Sequence, residues 1–383
     1  MQEIYFDNAA TTQVLPEIAE VAVRMMCEEY GNPSALYGRG LQAERAIKEA
    51  REQVAALIGA QPQDIIFTSG ATEANNMALR GGMKARARRG KHMVVSAVEH
   101  QSVIQTVRAM LELGYDFDLV PVDTSGRLNP AVLQNMMRSD TIMASIMLVN
   151  NEVGTVQQIP ELRRAIDAKR SQVLLHVDAS QALGKIPIDV GALGVDLLTA
   201  SGHKLHAPKG VGFVYVRQGL RIPPFINGGG QEGGWRSGTE NVPGICALGL
   251  AAKLAREQMS ARFEQVKQVR AAFLQGLQAL PGWRINGEGA ELVPHILSIA
   301  FDGVKSEVLL HMLEEQGLMV SAGAACSSRK DTLSHVLRAM RMRRNLIEGT
   351  LRFSFSHLNT VEEAGRAAQL VSQSVQELRG IIA

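Results

Sequence analysis

Several short stretches of this sequence set chemically capable side chains directly after apolar runs. Residues 65–68 lead into Ser69-Gly70-Ala71-Thr72-Glu73 and then a helical pattern. A small-residue turn that opens a helix presents unpaired N–H groups at the positive end of the helix dipole. With the Thr72 hydroxyl as a further donor, this turn is either a phosphate cradle or an ordinary capped turn. Asp178 follows the run 173–177, where it suits either a cationic ring nitrogen or the cap of a helix. Lys204 closes Ser201-Gly202-His203-Lys204 after the run 197–200. Loss of hydration there disfavours the ammonium form and prepares the amine for Schiff-base chemistry; a plain turn lysine is the alternative. His100, after 93–96, offers an imidazole for stacking on a flat ring or for a local hydrogen bond, and Asn150-Asn151-Glu152 offers amides suited to recognition or capping.

The three cysteines, Cys27, Cys246 and Cys326, are odd in number and far apart, which argues against a disulfide framework and a C-x-x-C metal pair. Cys27 and Cys246 sit in apolar helical patterns and are expected to be inert, buried packing residues. Cys326 lies in a loop of small residues, Ser321 to Ser328, followed by Arg329 and Lys330, cations that favour thiolate over thiol. A cradle, a ring-nitrogen acid, a candidate Schiff-base lysine and a stacking histidine on one sheet are together what pyridoxal phosphate requires of a protein. No G-x-G-x-x-G fingerprint competes for the site, and no metal is expected.

The elements that must position these residues have a clear rhythm. Apolar runs at 65–68, 93–96, 117–121, 142–149, 173–177, 197–200 and 211–216 alternate with helical patterns. That alternation predicts an α/β fold: a large domain with a mostly parallel seven-stranded sheet, whose ligands bind beyond the carboxyl ends of the strands. An amphipathic helix is expected over 42–57, and a long connecting helix from Pro243 to about 280. Beyond it a β-α-β-α-β order predicts a smaller α+β domain. The expected division is 16–255 for the large cofactor-binding domain, and 1–15 with 256–383 for the small domain carrying the Cys326 loop.

At 383 residues, with Lys plus Arg at 40 against Asp plus Glu at 38, the chain is long enough for two lobes and nearly neutral. That balance gives no reason to expect nucleic acid or an anionic membrane as the main partner. No apolar run approaches the roughly 18–20 residues that span a bilayer, the start has no secretory pattern, and a cytoplasmic protein is expected.

The residues resemble the class V aminotransferase family, and within it the cysteine desulfurases that supply sulfur for iron–sulfur cluster biogenesis and thio-modification. The resemblance covers nearly the whole chain. It rests on Tyr5 to Thr12, Gly31-Asn32-Pro33-Ser34, Thr68 to Asn76, Glu99-His100, Asn150 to Gly154, Asp178 to Gln181, Ser201 to Lys204, Arg236 to Asn241, Ser321 to Ser327, and Leu351 to Ser354. It implies a pyridoxal-phosphate transferase fold, with Lys204 holding pyridoxal 5'-phosphate and Asp178 pairing with its ring nitrogen. It further implies that Gln181 bonds the ring hydroxyl, that His100 stacks on the ring and assists proton transfers, and that Ala71, Thr72, Ser201 and His203 form the phosphate shell. Thr239 is implied to reach the neighbouring subunit's phosphate in a homodimer. Asn151 and Arg352 match the substrate-binding positions, Arg352 forking onto the α-carboxylate of L-cysteine. Cys326 matches the nucleophile that carries sulfur as a persulfide to a protein acceptor, a cluster scaffold or a thiolation enzyme, while L-alanine is released.

The sequence departs from the family pattern at four places. Gly233 stands where relatives usually carry arginine, Ala207 where glycine is common, Tyr37 in place of a histidine, and Ser356-His357 in place of glycine-arginine. A selenocysteine lyase or another class V aminotransferase would share the cofactor shell, although an aminotransferase needs no nucleophilic thiol. A nucleic-acid or assembly-scaffold protein would instead use the basic clusters Lys84 to Lys91 and Arg338 to Arg344, which are more usually solvated helix ends, so direct nucleic-acid binding is not expected.

Overall fold

A computed structural model describes residues 3–322 and 333–382 of the chain, the last two of these by backbone alone. The large sheet has seven strands in the order Ile65–Thr68, Gly212–Val216, Leu197–Ser201, Leu174–Asp178, Thr141–Ser145, His92–Ser96 and Asp116–Val120. Gly212–Val216 runs antiparallel to both of its neighbours, and the remaining pairings are parallel. Every predicted strand is present. The run 142–149 outlasts its strand, because regular pairing stops at Ser145; Ile146 and Leu148 still donate N–H bonds to His176 and Asp178.

Strands covered on both faces must be apolar on both, and their residues divide by alternation. Phe67, Val94, Leu175, Val177 and Leu198 join one core, while Ile66, Met93, Val95, Leu174 and Leu197 join another. The helices Gly38–Leu57, Ile159–Arg170 and the first half of Val242–Leu277 close the first face; Ala71–Arg86 and Gln101–Leu111 close the second.

A separate core gathers Phe6, Phe273, Phe353 and Phe355 with Leu297, Leu313 and Leu351. Its four-stranded antiparallel sheet runs Ser321–Ala322, Thr350–Ser354, Ile296–Phe301 and Trp283–Ile285, and the helices Ser306–Glu315 and Val361–Ile382 pack on it. Val242–Leu277 has 36 residues, about 54 Å at 1.5 Å per residue, enough to contribute Ile245 to the large core and Phe273 to the small one. The N-terminal segment crosses the same gap: Ile4–Tyr5 pairs with Leu318–Met319, and residues 7–12 then run along the strand ends of the large sheet.

Candidate active site

Parallel order brings Thr68, Ser201, Asp178, Ser145 and Ser96 to one edge of the large sheet. Beyond that edge lies a cavity of about 920 Å³, in the size range of cofactor sites. Its lining includes Ala71, Thr72, His100, Asn151, Asp178, Gln181, Ser201, His203, Lys204 and Arg352. Ten residues singled out from the sequence therefore share one space. Thr239 is exposed and does not line this cavity, and Cys326 lies outside the described residues.

Asp178 ends its strand with 4 % of its surface exposed. Its Oδ1 accepts the Ser180 N–H at 2.9 Å and its Oδ2 the Asn75 amide at 2.8 Å, so both oxygens act as acceptors. Asn75 is fully buried; it also donates to Ser102 Oγ at 2.8 Å and accepts from the Thr199 hydroxyl at 2.5 Å. Ser102 Oγ is 2.8 Å from His100 Nδ1, and the Ser102 N–H donates to the same nitrogen. A nitrogen accepting a backbone N–H carries no proton, so neutral His100 holds its proton on Nε2. Asn75 thus ties the acid to the imidazole. It lies one helical turn after Thr72, wholly buried behind the cavity lining, and its role shows only in partners distant in sequence, so no local signal marks it.

Lys204 lies in the short turn Gly202–Lys204 directly after its strand. Its amine donates to the carbonyls of Ala9 at 2.5 Å and Ala10 at 2.6 Å, so the N-terminal crossing segment positions it. Gln181 donates to the Ala9 carbonyl at 2.9 Å, and its buried Oε1 has no hydrogen-bond partner among the described residues.

Gly70 precedes the helix Ala71–Arg86 with φ at 149°, a conformation that favours glycine. A Cβ there would stand 3.6 Å from Ser201 Oγ, and one on Gly212 would approach Gly70 Cα to 2.7 Å. Two glycines therefore let the turn close onto the strand ends and leave a hollow at the helix N-terminus. Arg236 braces this turn by holding Glu73, whose carboxylate also accepts the Ser69 N–H. Burial raises the Glu73 pKa, but the bonds from Arg236 and Ser69 outweigh it and lower the value. His203 lines the cavity; burial, followed by the charges of Lys204, Lys209 and Lys185, lowers it to about 4 and leaves it neutral.

Opposite the lysine, Arg352 has 4 % of its surface exposed. Its Nη1 donates to the Asn151 carbonyl at 2.8 Å and its Nη2 to Asp7 Oδ1 at 2.9 Å. Its buried Nε has no partner among the described residues. Asn150 serves the local backbone, accepting from Glu152 and Val153, whereas Asn151 reaches the cavity. Sequence reasoning gave no role to Asp7 or Glu152. Burial raises Glu152 to about 7, opposed by the Ser334 hydroxyl at 2.5 Å and by Arg352 and His100.

One expectation is corrected: Cys27, at the end of the helix Pro16–Cys27, is exposed, because that helix turns its Val23 and Met26 face outward as well. Cys246 is buried as expected, and burial pushes its thiol to about 11. Among the described residues no group of three His, Cys, Asp or Glu side chains is set to hold a metal, and no helix is long and apolar enough to cross a membrane.

The sequence pattern described as Aminotransferase class-V matches residues 4–366. A cysteine desulfurase IscS of Methanosarcina thermophila is 39 % identical over 378 residues, covering 99 % of this chain and 93 % of the relative. A cysteine desulfurase IscS of Pectobacterium atrosepticum is likewise 39 % identical, over 99 % of this chain and 94 % of its own. Among solved structures, one described as a NifS-like protein superposes with a TM-score of 0.92 at 35 % identity, covering 98 % of this chain and all of that one. SspA in complex with cysteine gives 0.83 at 32 % identity, over 92 % and 99 %.

Proposed function

This chain belongs to the class-V aminotransferase family, and from that premise we propose that it acts as a cysteine desulfurase using pyridoxal 5'-phosphate, converting L-cysteine to L-alanine and passing the sulfur to a protein acceptor. The observation that carries this reading is the Lys204 amine and the Asp178 carboxylate on adjacent strand ends, opening on one cavity with the Arg352 guanidinium.

The residues present fit the cofactor. The hollow at Gly70, which a Cβ would narrow, suits its phosphate, held by Ala71 and Thr72 N–H groups with Ser201 and His203. The unpartnered Gln181 Oε1 suits its ring hydroxyl, Asp178 its ring nitrogen and His100 its face. Lys204 is the amine that would bind its aldehyde. When bound, this group supplies an electron sink for the carbon next to an amine.

The chain's own part follows from position. Arg352, oriented by Asp7 and the Asn151 carbonyl, presents Nε and the guanidinium edge to the α-carboxylate of L-cysteine, beside Asn151. Lys204 Nζ then takes the α-proton. His100, with its proton on Nε2, is placed to return a proton on the other side. The Cys326 thiolate attacks the substrate sulfur, forming an S–S bond as the C–S bond breaks; the electron pair left on carbon takes up a proton, and L-alanine leaves. Oxidation of Cys326 to the persulfide balances reduction of the substrate carbon, so no further redox partner is needed. The acceptor then takes the terminal sulfur.

Thr239, exposed and not among the residues that line its own cavity, fits a homodimer in which it reaches the partner's site. Exposed Met26, Tyr30, Leu36 and Tyr37 provide apolar surface for such contacts. A cytoplasmic location belongs to the same reading. The test is to purify the protein, record visible absorbance, and assay sulfide and alanine from L-cysteine. Lys204→Ala should lose the yellow colour, and Cys326→Ala should keep it but form no sulfide; a colourless wild type, or a fully active Cys326→Ala, overturns the proposal.

A further inference from the structure

Behind the active site lies a second, smaller cavity of about 50 Å³. Lys204 lines both, so the two adjoin at that residue. Its ionisable lining is cationic or basic: Lys185, Arg262, His206, His295 and His357 accompany Lys204, with the neutral hydroxyls of Thr12 and Ser356, and among the described residues no carboxylate lines it. His357 forms one wall, edge-on to His206 with ring centroids 4.7 Å apart. This is a position where the sequence departs from the family pattern, and His357 does not line the larger cavity.

The hydrogen bonds of this group leave it short of negative charge. His206 Nδ1 lies 2.7 Å from the Gln13 carbonyl and His295 Nε2 3.0 Å from the Gln181 carbonyl, so each ring donates to backbone. Arg262 gives Nε and Nη2 to Gln258 Oε1, a neutral acceptor. Lys185 has no hydrogen-bond acceptor among the described residues. Arg352 and Arg270 add positive charge from behind, and the carboxylate that acts on the group is Glu17, through Arg262.

A confined group of bases without an acid either sheds protons or takes up an anion. Burial, then Lys204 and Arg352, lowers Lys185 to about 7, while His206 falls to about 3 and His357 to about 4, in each case chiefly through burial. The imidazoles are not gathered as a metal site, since no group of three such ligands is found among the described residues. A water needs about 10–15 Å³ of such space, so the cavity has room for about three to five, about the size of one tetrahedral oxyanion.

We propose that this cavity binds a small inorganic oxyanion, of the sulfate or phosphate type, between Lys185, Arg262 and His357, adjoining the active-site lysine. The anion draws the Lys185 amine into its protonated form, so its binding is coupled to uptake of a proton.

The test uses cofactor-loaded protein, in which the larger site's phosphate cradle is already filled. Sodium sulfate is titrated calorimetrically against a sodium chloride control of equal ionic strength. We expect one saturable sulfate per chain, displaced by inorganic phosphate and not by chloride. Affinity should weaken by up to about tenfold per pH unit above pH 7, as Lys185 loses its proton. Lys185→Met should weaken binding about tenfold or more and Lys185→Arg should retain it. Arg262→Gln, at a partly exposed position, should also weaken it and serves if Lys185→Met does not fold. Absence of saturable sulfate binding in the wild type, equal displacement by chloride, or wild-type affinity in both Lys185→Met and Arg262→Gln overturns the proposal. A protein that takes up no cofactor would refute the desulfurase reading and leave this test intact, because Lys185 and Arg262 line the smaller cavity and not the larger one.

Discussion

Replacing Arg352 by lysine keeps a positive charge in the cavity and removes the planar fork. The native guanidinium is held from two sides, by Asp7 Oδ1 at 2.9 Å and by the Asn151 carbonyl at 2.8 Å, and its Nε is buried without a partner among the described residues. In our account that Nε and the adjoining edge bind the substrate carboxylate. A lysine ammonium is a point donor that cannot satisfy Asp7, Asn151 and the carboxylate together. Losing one hydrogen bond to a charged partner costs about 1.5–3 kcal/mol, or about 10- to 150-fold in kcat/KM at 1.36 kcal/mol per decade. The assay is alanine formation against L-cysteine concentration, with cofactor absorbance recorded in parallel. Arg352→Lys should raise KM and leave the absorbance unchanged, since Arg352 belongs to the substrate side. Asp7→Asn keeps the arginine but weakens its anchor, and should fall between wild type and Arg352→Lys. An Arg352→Lys enzyme within threefold of wild type, or one that loses cofactor together with activity, would refute the assignment.

Asp178→Asn should lower kcat by about 10²–10³-fold, because breaking a buried charge pair costs several kcal/mol; steady-state kinetics at saturating cofactor would show it. Gly70→Ala forces a side chain onto φ of 149° beside Ser201 Oγ and should weaken cofactor binding in an equilibrium titration, together with about 1–3 kcal/mol of stability. Glu152 has its pKa raised to about 7 by burial, above the unfolded value of 4.5. Its folded form therefore holds a proton that the unfolded form has lost, and its contribution to stability is present below pH 4.5 and is lost as pH rises toward 7. Glu152→Gln should accordingly gain Tm relative to wild type as the pH goes from 5 to 8, a trend that melting curves across that range would reveal. In a Cys326→Ala background, exposed Cys27 should react with a thiol reagent in the native protein and buried Cys246 only after denaturation.

The large sheet was legible because strands buried on both faces must be continuous apolar runs, and the residue after each run then falls at the ligand-binding edge. That rule picks out Asp178, Lys204 and His100, all of which line the cavity. The run 142–149 was over-read because apolar character reports burial, not regular pairing, and residues 146 and 148 remain buried beside the neighbouring strand without continuing the ladder. Asn75 and Asp7 escaped for another reason. Each acts through a partner distant in sequence, 103 residues for Asn75 with Asp178 and 345 for Asp7 with Arg352, and no local pattern encodes such a pairing. Cys27 departs from expectation because its helix is apolar on a face that stays exposed among the described residues.

The central claim is that Lys204 is the amine that binds the cofactor, although Lys185, an amine that burial lowers to about 7, lines the cavity just behind it. Borohydride reduction of the purified protein, followed by peptide mass mapping, tests this directly. A pyridoxyl adduct on Lys204 alone is the predicted result; an adduct on Lys185, or none on either lysine, would contradict the account.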